Sequence, residues 1–243
     1  MLYSSDRSSV ERMFPMLRKS AFLIILIGLI SCATASAAPA YGTRQPLKNH
    51  FVLGGQSYWV FKRELAVTEG KLKSTQHFML LSYGIFDWLT LDLKGGAGDI
   101  EQTPNTGNSI NYPTFVGGGY GFRIKAYERD HFKVVGGFQH ISIHPYSVFI
   151  GPVKHKAVID DWQLSFLASY TFKYATPYLG ARWSRMDYIH WTEDDRDRVK
   201  SNLSKSYGLV IGTDIPLCSK AWVNVEGSFF DSDSVSASIN YAF

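Results

Sequence analysis

The chain has 243 residues, 45% of them hydrophobic and 15% aromatic, with 25 Lys and Arg against 21 Asp and Glu for a net charge of +4. The charge is scattered and nearly balanced, which argues against a nucleic-acid partner. The only cysteines are Cys32 and Cys218, and Cys32 falls in an apolar leader, so no intramolecular disulfide is expected to hold the mature fold.

That leader opens the chain. "MLRKSAFLIILIGLISCATASAAPA" begins with basic Arg18 and Lys19, continues with the uncharged apolar run from Ala21 to Ile30, and ends in small residues. This is the layout of a secretory signal peptide within residues 1–37, with Met13 or Met16 as the true start. The apolar run is much shorter than the ~20 residues of a membrane-spanning helix. Ala35-Ser36-Ala37 fits cleavage after Ala37; Leu29-Ile30-Ser31-Cys32 fits the competing reading, lipidation at Cys32. Beyond residue 37 there are 21 basic and 19 acidic residues, a net charge of +2. A short segment, 38–50, then leads into the domain at 51–243.

From Phe51 the apolar residues recur at every second position. "WLTLDLKGGAG" sets Leu89, Leu91 and Leu93 against Thr90, Asp92 and Lys94, and "FVGGGYGFRIKAY" sets Tyr120, Phe122 and Ile124 against Gly119, Gly121, Arg123 and Lys125. "WQLSFLASYTF" and "SYGLVIGTDI" alternate in the same way. Side chains on a strand point alternately to opposite faces, so this period predicts strands with one apolar and one polar face. Ten are expected, near 51–64, 74–83, 88–98, 114–126, 132–143, 158–172, 176–188, 203–217, 221–230 and 234–243; an eight-stranded count is the alternative. The connections alternate between tight turns (84–87, 128–131, 173–175, 218–220) and longer loops (65–73, 99–113, 144–156, 190–202), except for the short 231–233.

Tight turns on one side, long loops on the other and weakly alternating strands are the pattern of an all-β, up-and-down transmembrane β-barrel. A soluble β-sandwich also alternates, but the apolar face here is almost free of charge while the other mixes Gly and Ser with lone Arg, Lys, Asp and Glu. The chain ends "SVSASINYAF", with Ile239, Tyr241 and the terminal Phe243 on one face. That ending resembles the C-terminal signal of bacterial outer-membrane β-barrels, and the resemblance extends as a pattern over about the last 190 residues. It implies localisation in the outer membrane of a Gram-negative bacterium. It also implies a last strand that the barrel assembly machinery reads and that closes on the first. The expected partners are outer-membrane lipids, that machinery and a ligand at the long loops.

The charges expected in the lumen are Asp92, Lys94, Arg123, Lys125, Arg182, Asp214 and Glu226. Asp92 can pair with Arg123, and Arg182 can pair with Glu226. A ten-stranded barrel is only slightly wider than one that side chains fill, so the reading is a plugged barrel with a structural or surface-binding role. A narrow diffusion pore lined by the same charges is the alternative. Enzymatic readings draw on the rim. His140, His144, His155, His190, Asp160, Asp161 and Asp187 lie at or near the long-loop ends, where proteases of the omptin type carry Asp and His, though not at this spacing. Ser142 with His140 and His144 would supply parts of a Ser/His/acid lipase or acyltransferase, without any residue being singled out as nucleophile. The acidic "DSDSV" at 231–235 reads as a tight hairpin in preference to a calcium site. No catalytic residue, metal or cofactor is expected.

Overall fold

The computed structural model describes residues 39, 41–66 and 70–243. The expected leader, both candidate starts and both processing sites lie outside these residues. The described residues form twelve strands: β1 (Phe51–Glu64), β2 (Lys71–Phe86), β3 (Leu89–Thr103), β4 (Ile110–Arg129), β5 (Phe132–His144), β6 (Val148–Ile150), β7 (Val153–Tyr170), β8 (Thr176–Thr192), β9 (Asp195–Val199), β10 (Tyr207–Pro216), β11 (Ala221–Phe229) and β12 (Asp233–Ala242).

Ten of them form a closed antiparallel wall in the order β1-β2-β3-β4-β5-β7-β8-β10-β11-β12, with β12 pairing back onto β1 so that Val52 faces Ala242 and Trp59 faces Val235. The wall therefore has ten strands and not eight. β6 and β9 are short hairpin partners of β7 and β8 in the two longest loops. Closure gives every wall strand a partner on both sides, which is what allows β structure to sit in hydrocarbon.

The two faces follow the alternation. On β3, Leu91 and Leu93 are 45% and 54% exposed, whereas Thr90, Asp92 and Lys94 are buried. Leu53, Met79, Leu81, Phe166, Leu179 and Ile239 continue the exposed apolar belt around the outside. Glycine makes room inside: a Cβ on Gly117 would come within 2.6 Å of Ile143 Cδ1.

The wall is lopsided. β10, β11 and β12 have 10, 9 and 10 residues, about the 9–11 that cross a bilayer. β4, β7 and β8 have 20, 18 and 17 and project beyond it at the long-loop end. Sequence reading ends the third and seventh strands at 98 and 188; the structure carries them to Thr103 and Thr192. The alternation persists there with its polarity inverted. Ile100 and Gln102 are buried, while Asp99 and Glu101 are half-exposed on the outside. The projecting interior is an apolar core that includes Leu72, Ile100, Ile143, Ala157, Ile159 and Met186.

Candidate functional site: the filled lumen and the outer rim

Because inward positions recur every second residue, β3 and β4 deliver Asp92, Lys94 and Arg123 to the turn-end half of the lumen. Arg123 binds Asp92 through two nitrogens, Nε to Oδ2 at 2.8 Å and Nη2 to Oδ1 at 2.9 Å. Ser82 also donates to Asp92, at 2.5 Å. Lys94 donates to Gln56 Oε1 at 3.2 Å. Asn224 donates to Asp214 at 2.9 Å, and the Tyr178 hydroxyl donates to Glu226 at 2.8 Å. Arg182 is fully buried and is gripped by Asp231 through Nε and Nη2 at 2.9–3.2 Å, with Ser228 accepting from Nη1. Its ion-pair partner thus comes from the short outer turn read as an acidic hairpin. Lys125 stands apart from the other six: it is partly exposed and pairs with Glu128 at the turn end of β4.

A second buried pair escapes sequence reading. Arg63 on β1 donates to Asp161 Oδ2 at 2.7 Å and to Ser184 at 2.8 Å, and Gln163 donates to the same carboxylate. Arg63 sits near a strand end and Asp161 near the rim, so both look like solvated end residues. Continuing the alternation inward from Gln163 would have found Asp161.

The segment before β1 supplies the rest of the filling. Rather than lying free outside the barrel, the described part of 38–50 enters it from the turn end. Arg44 stacks over Trp222 at 4.2 Å and reaches the Ser219 carbonyl, and Gly42 lies against Asn224 and Asp214. Arg123 Nη1 donates to the carbonyls of Tyr41 (3.2 Å) and Arg44 (2.7 Å). Gln139 donates to the Pro39 carbonyl at 2.8 Å, and Lys94 Nζ sits 3.9 Å from the centre of the Tyr41 ring, a cation–π contact. A cavity lined by Tyr58, Arg63, Leu72, Ile143 and Asp161 has about 10 Å³, scarcely room for one water.

The rim residues divide between the two faces. Asp160 and Asp161 are consecutive and point to opposite sides of the wall: Asp161 inward to Arg63, Asp160 outward to Ser142 at 2.5 Å. His144 Nε2 is 2.8 Å from the same Ser142 oxygen, and His140 Nε2 is 3.9 Å from Asp160. Asp187 is held by Arg198 at 2.7 Å and by the Ser201 amide. His155 and His190 stack on each other with ring centres 5.5 Å apart. At the opposite end, Ile239, Tyr241 and Phe243 lie outward on or just after β12. Tyr241 and Phe243 meet edge to face at 5.1 Å, and the Phe243 amide donates to the Phe51 carbonyl.

A closed, even-stranded antiparallel barrel with an apolar belt outside and charge packed inside is the architecture of a transmembrane β-barrel. The chain has the fold of a transmembrane β-barrel. Among solved structures it is similar to the outer-membrane protease OmpT from Escherichia coli, at 11% identity over 83% of this chain and 99% of that one with a TM-score of 0.46. It is also similar to the translocator domain of the autotransporter NalP from Neisseria meningitidis (12% identity, 80% and 87% coverage, TM-score 0.43). A third is Ail, the attachment invasion locus protein of Yersinia pestis (7% identity, 81% and 100% coverage, TM-score 0.40). No family model matches the chain, and no curated protein matches it. At these scores the likenesses carry nothing about activity.

Proposed function

We propose that this protein is a closed, non-conducting barrel that acts through its outer surface and projecting loop end, not by passing solutes through its lumen. The observation that carries the reading is Arg123. One guanidinium grips Asp92 on the wall and the carbonyls of Tyr41 and Arg44 on the N-terminal segment. Plug and wall are thereby tied through a buried ion pair, an arrangement that is costly to open because one charge would be left without its partner. A pore needs a continuous wet path with weak, repeated sites; here the path is occupied by residues 41–46, by Arg63–Asp161 and by Arg182–Asp231.

The test is single-channel recording in a planar bilayer. The refolded full chain is expected to be silent, and deletion of 39–47 is expected to produce conductance steps. Steps from the unaltered protein would overturn the plug in favour of the diffusion pore.

A further inference from the structure

Ser142, His144 and Asp160 meet on the outer face of the wall. Their orientation follows from their neighbours: Ile141, Ile143 and Asp161 are buried inside, so 142, 144 and 160 point the other way. Their depth follows from β7. Its outward residues run from Tyr170 through Phe166 and Leu164 to Trp162, roughly 26 Å along the strand, or roughly 20 Å of depth at a tilt of about 35–45°. Trp162 and Tyr120 flank His140 at the upper edge of this belt, with ring centres 4.1 and 5.4 Å from it. Ser142 and Asp160 are one step above. That level is the boundary between acyl chains and headgroups, where the ester bonds of a lipid lie.

Two further features suit a lipid. In the cross-strand row that holds Ser142, its partner on β4 is Gly118, whose own partner on β3 is Gly95. A Cβ on Gly95 would meet nothing within 4 Å. The wall beside Ser142 is therefore bare backbone over two strands, a shallow track for an alkyl chain. On the other side stands Arg198, with Nη2 3.9 Å from Asp160 Oδ2 and 2.7 Å from Asp187, a cation at headgroup level.

The geometry points to an interfacial acyl-ester hydrolase site: Ser142 as nucleophile, His144 as its base, and a lipid acyl ester lying over Gly118 and Gly95 as substrate. Ser142 Oγ attacks the ester carbonyl carbon while its proton passes to His144 Nε2. The tetrahedral adduct expels the alcohol, which takes that proton and leaves an acyl-serine. Water, deprotonated by His144, then releases the fatty acid and restores the hydroxyl. Asp160 is a positioning residue. At rest it accepts a hydrogen bond from the Ser142 hydroxyl, holding Oγ 2.8 Å from His144 Nε2, and the hydroxyl turns to that nitrogen for attack.

The probes are a fluorophosphonate and a phospholipid with a fluorogenic acyl ester, presented to the refolded full chain in mixed micelles; heat-modifiable migration verifies folding. The expected results are a probe adduct on Ser142 by mass spectrometry, ester turnover abolished by Ser142→Ala and reduced at least tenfold by His144→Asn. Gly95→Leu should keep the adduct and lose turnover of long-chain esters at least tenfold more than of short ones. Asp160→Asn should lower kcat with KM and heat-modifiable migration unchanged; an unchanged kcat overturns the role given to Asp160. Folded, unaltered protein that gives no Ser142 adduct and no turnover above Ser142→Ala overturns the site. Because the readout is chemical, this outcome is distinct from a failure of the plug, which conductance reports.

Discussion

The turn-end and loop-end halves of this barrel solve opposite solvent problems with the same alternating strand. Near the turns the outside is Leu91, Leu93 and Ile239 and the inside is Asp92, Arg123, Asp214 and Glu226. Beyond the membrane on β2–β8 the inside is Leu72, Ile100, Ile143 and Met186, while outside Lys73 pairs with Glu101 and Arg198 with Asp187. The strand does not change, only the medium it meets. In lipid the apolar face turns outward, and the buried polar face must satisfy itself. In water the apolar face turns in and forms a core like that of a soluble protein. A strand of 15–20 residues can cross both regimes by swapping which parity carries its apolar residues.

That contrast can be broken most sharply in the lower half. Arg123→Ala leaves Asp92 buried without its cation and frees two carbonyls of the plug, so a loss of about 3–5 kcal/mol is expected, read from urea unfolding in lipid. A double-mutant cycle with Asp92→Ala should give a coupling well above the roughly 1 kcal/mol ceiling of a solvated pair; a coupling near zero would mean a wet lumen. In the upper half the corresponding change removes hydrocarbon, not charge: Ile143→Ala should cost about 2–5 kcal/mol as a cavity in a packed core. A cost below about 1 kcal/mol would show that this interior is loose and hydrated.

The outer faces give the next contrast. Leu209→Arg on the lipid face should cost about 2–4 kcal/mol near the bilayer midplane, and far more than Ser238→Arg, whose side chain enters the polar lumen. The reverse order would overturn the register of these strands. The smallest effect belongs to the outside of the projecting half. Lys73→Ala removes an exposed 3.0 Å pair with Glu101, and should change stability by at most about 1 kcal/mol, a difference that fades further in high salt.

Particular residues show where sequence reading reaches and where it stops. Thr90, Asp92 and Leu91 declare their faces because each sits inside an unbroken alternation, and Asp92 and Arg123 can be paired because they lie on neighbouring strands at similar heights above two separate tight turns. Asp161 fails only because its neighbour Asp160 suggests a solvated acidic rim; one step of alternation separates a lumenal carboxylate from an outward one. Arg182 with Asp231 and Arg63 with Asp161 are different. Their partners lie 49 and 98 residues apart, and which of several inward charges meet depends on side-chain reach across a closed interior. The 38–50 segment carries no period at all, so nothing local marks it as filling.

The sequence by itself determined the all-β class and the two faces of each strand, because period-two alternation is a local property that each strand states independently. Only the tertiary structure decided that Ser142 meets Asp160, that Arg123 ties plug to wall, and that the long strands carry a water-facing core above the membrane. Each of those depends on closure: once β12 pairs with β1, register and lumen width set which side chains share a level, and no single strand contains that information.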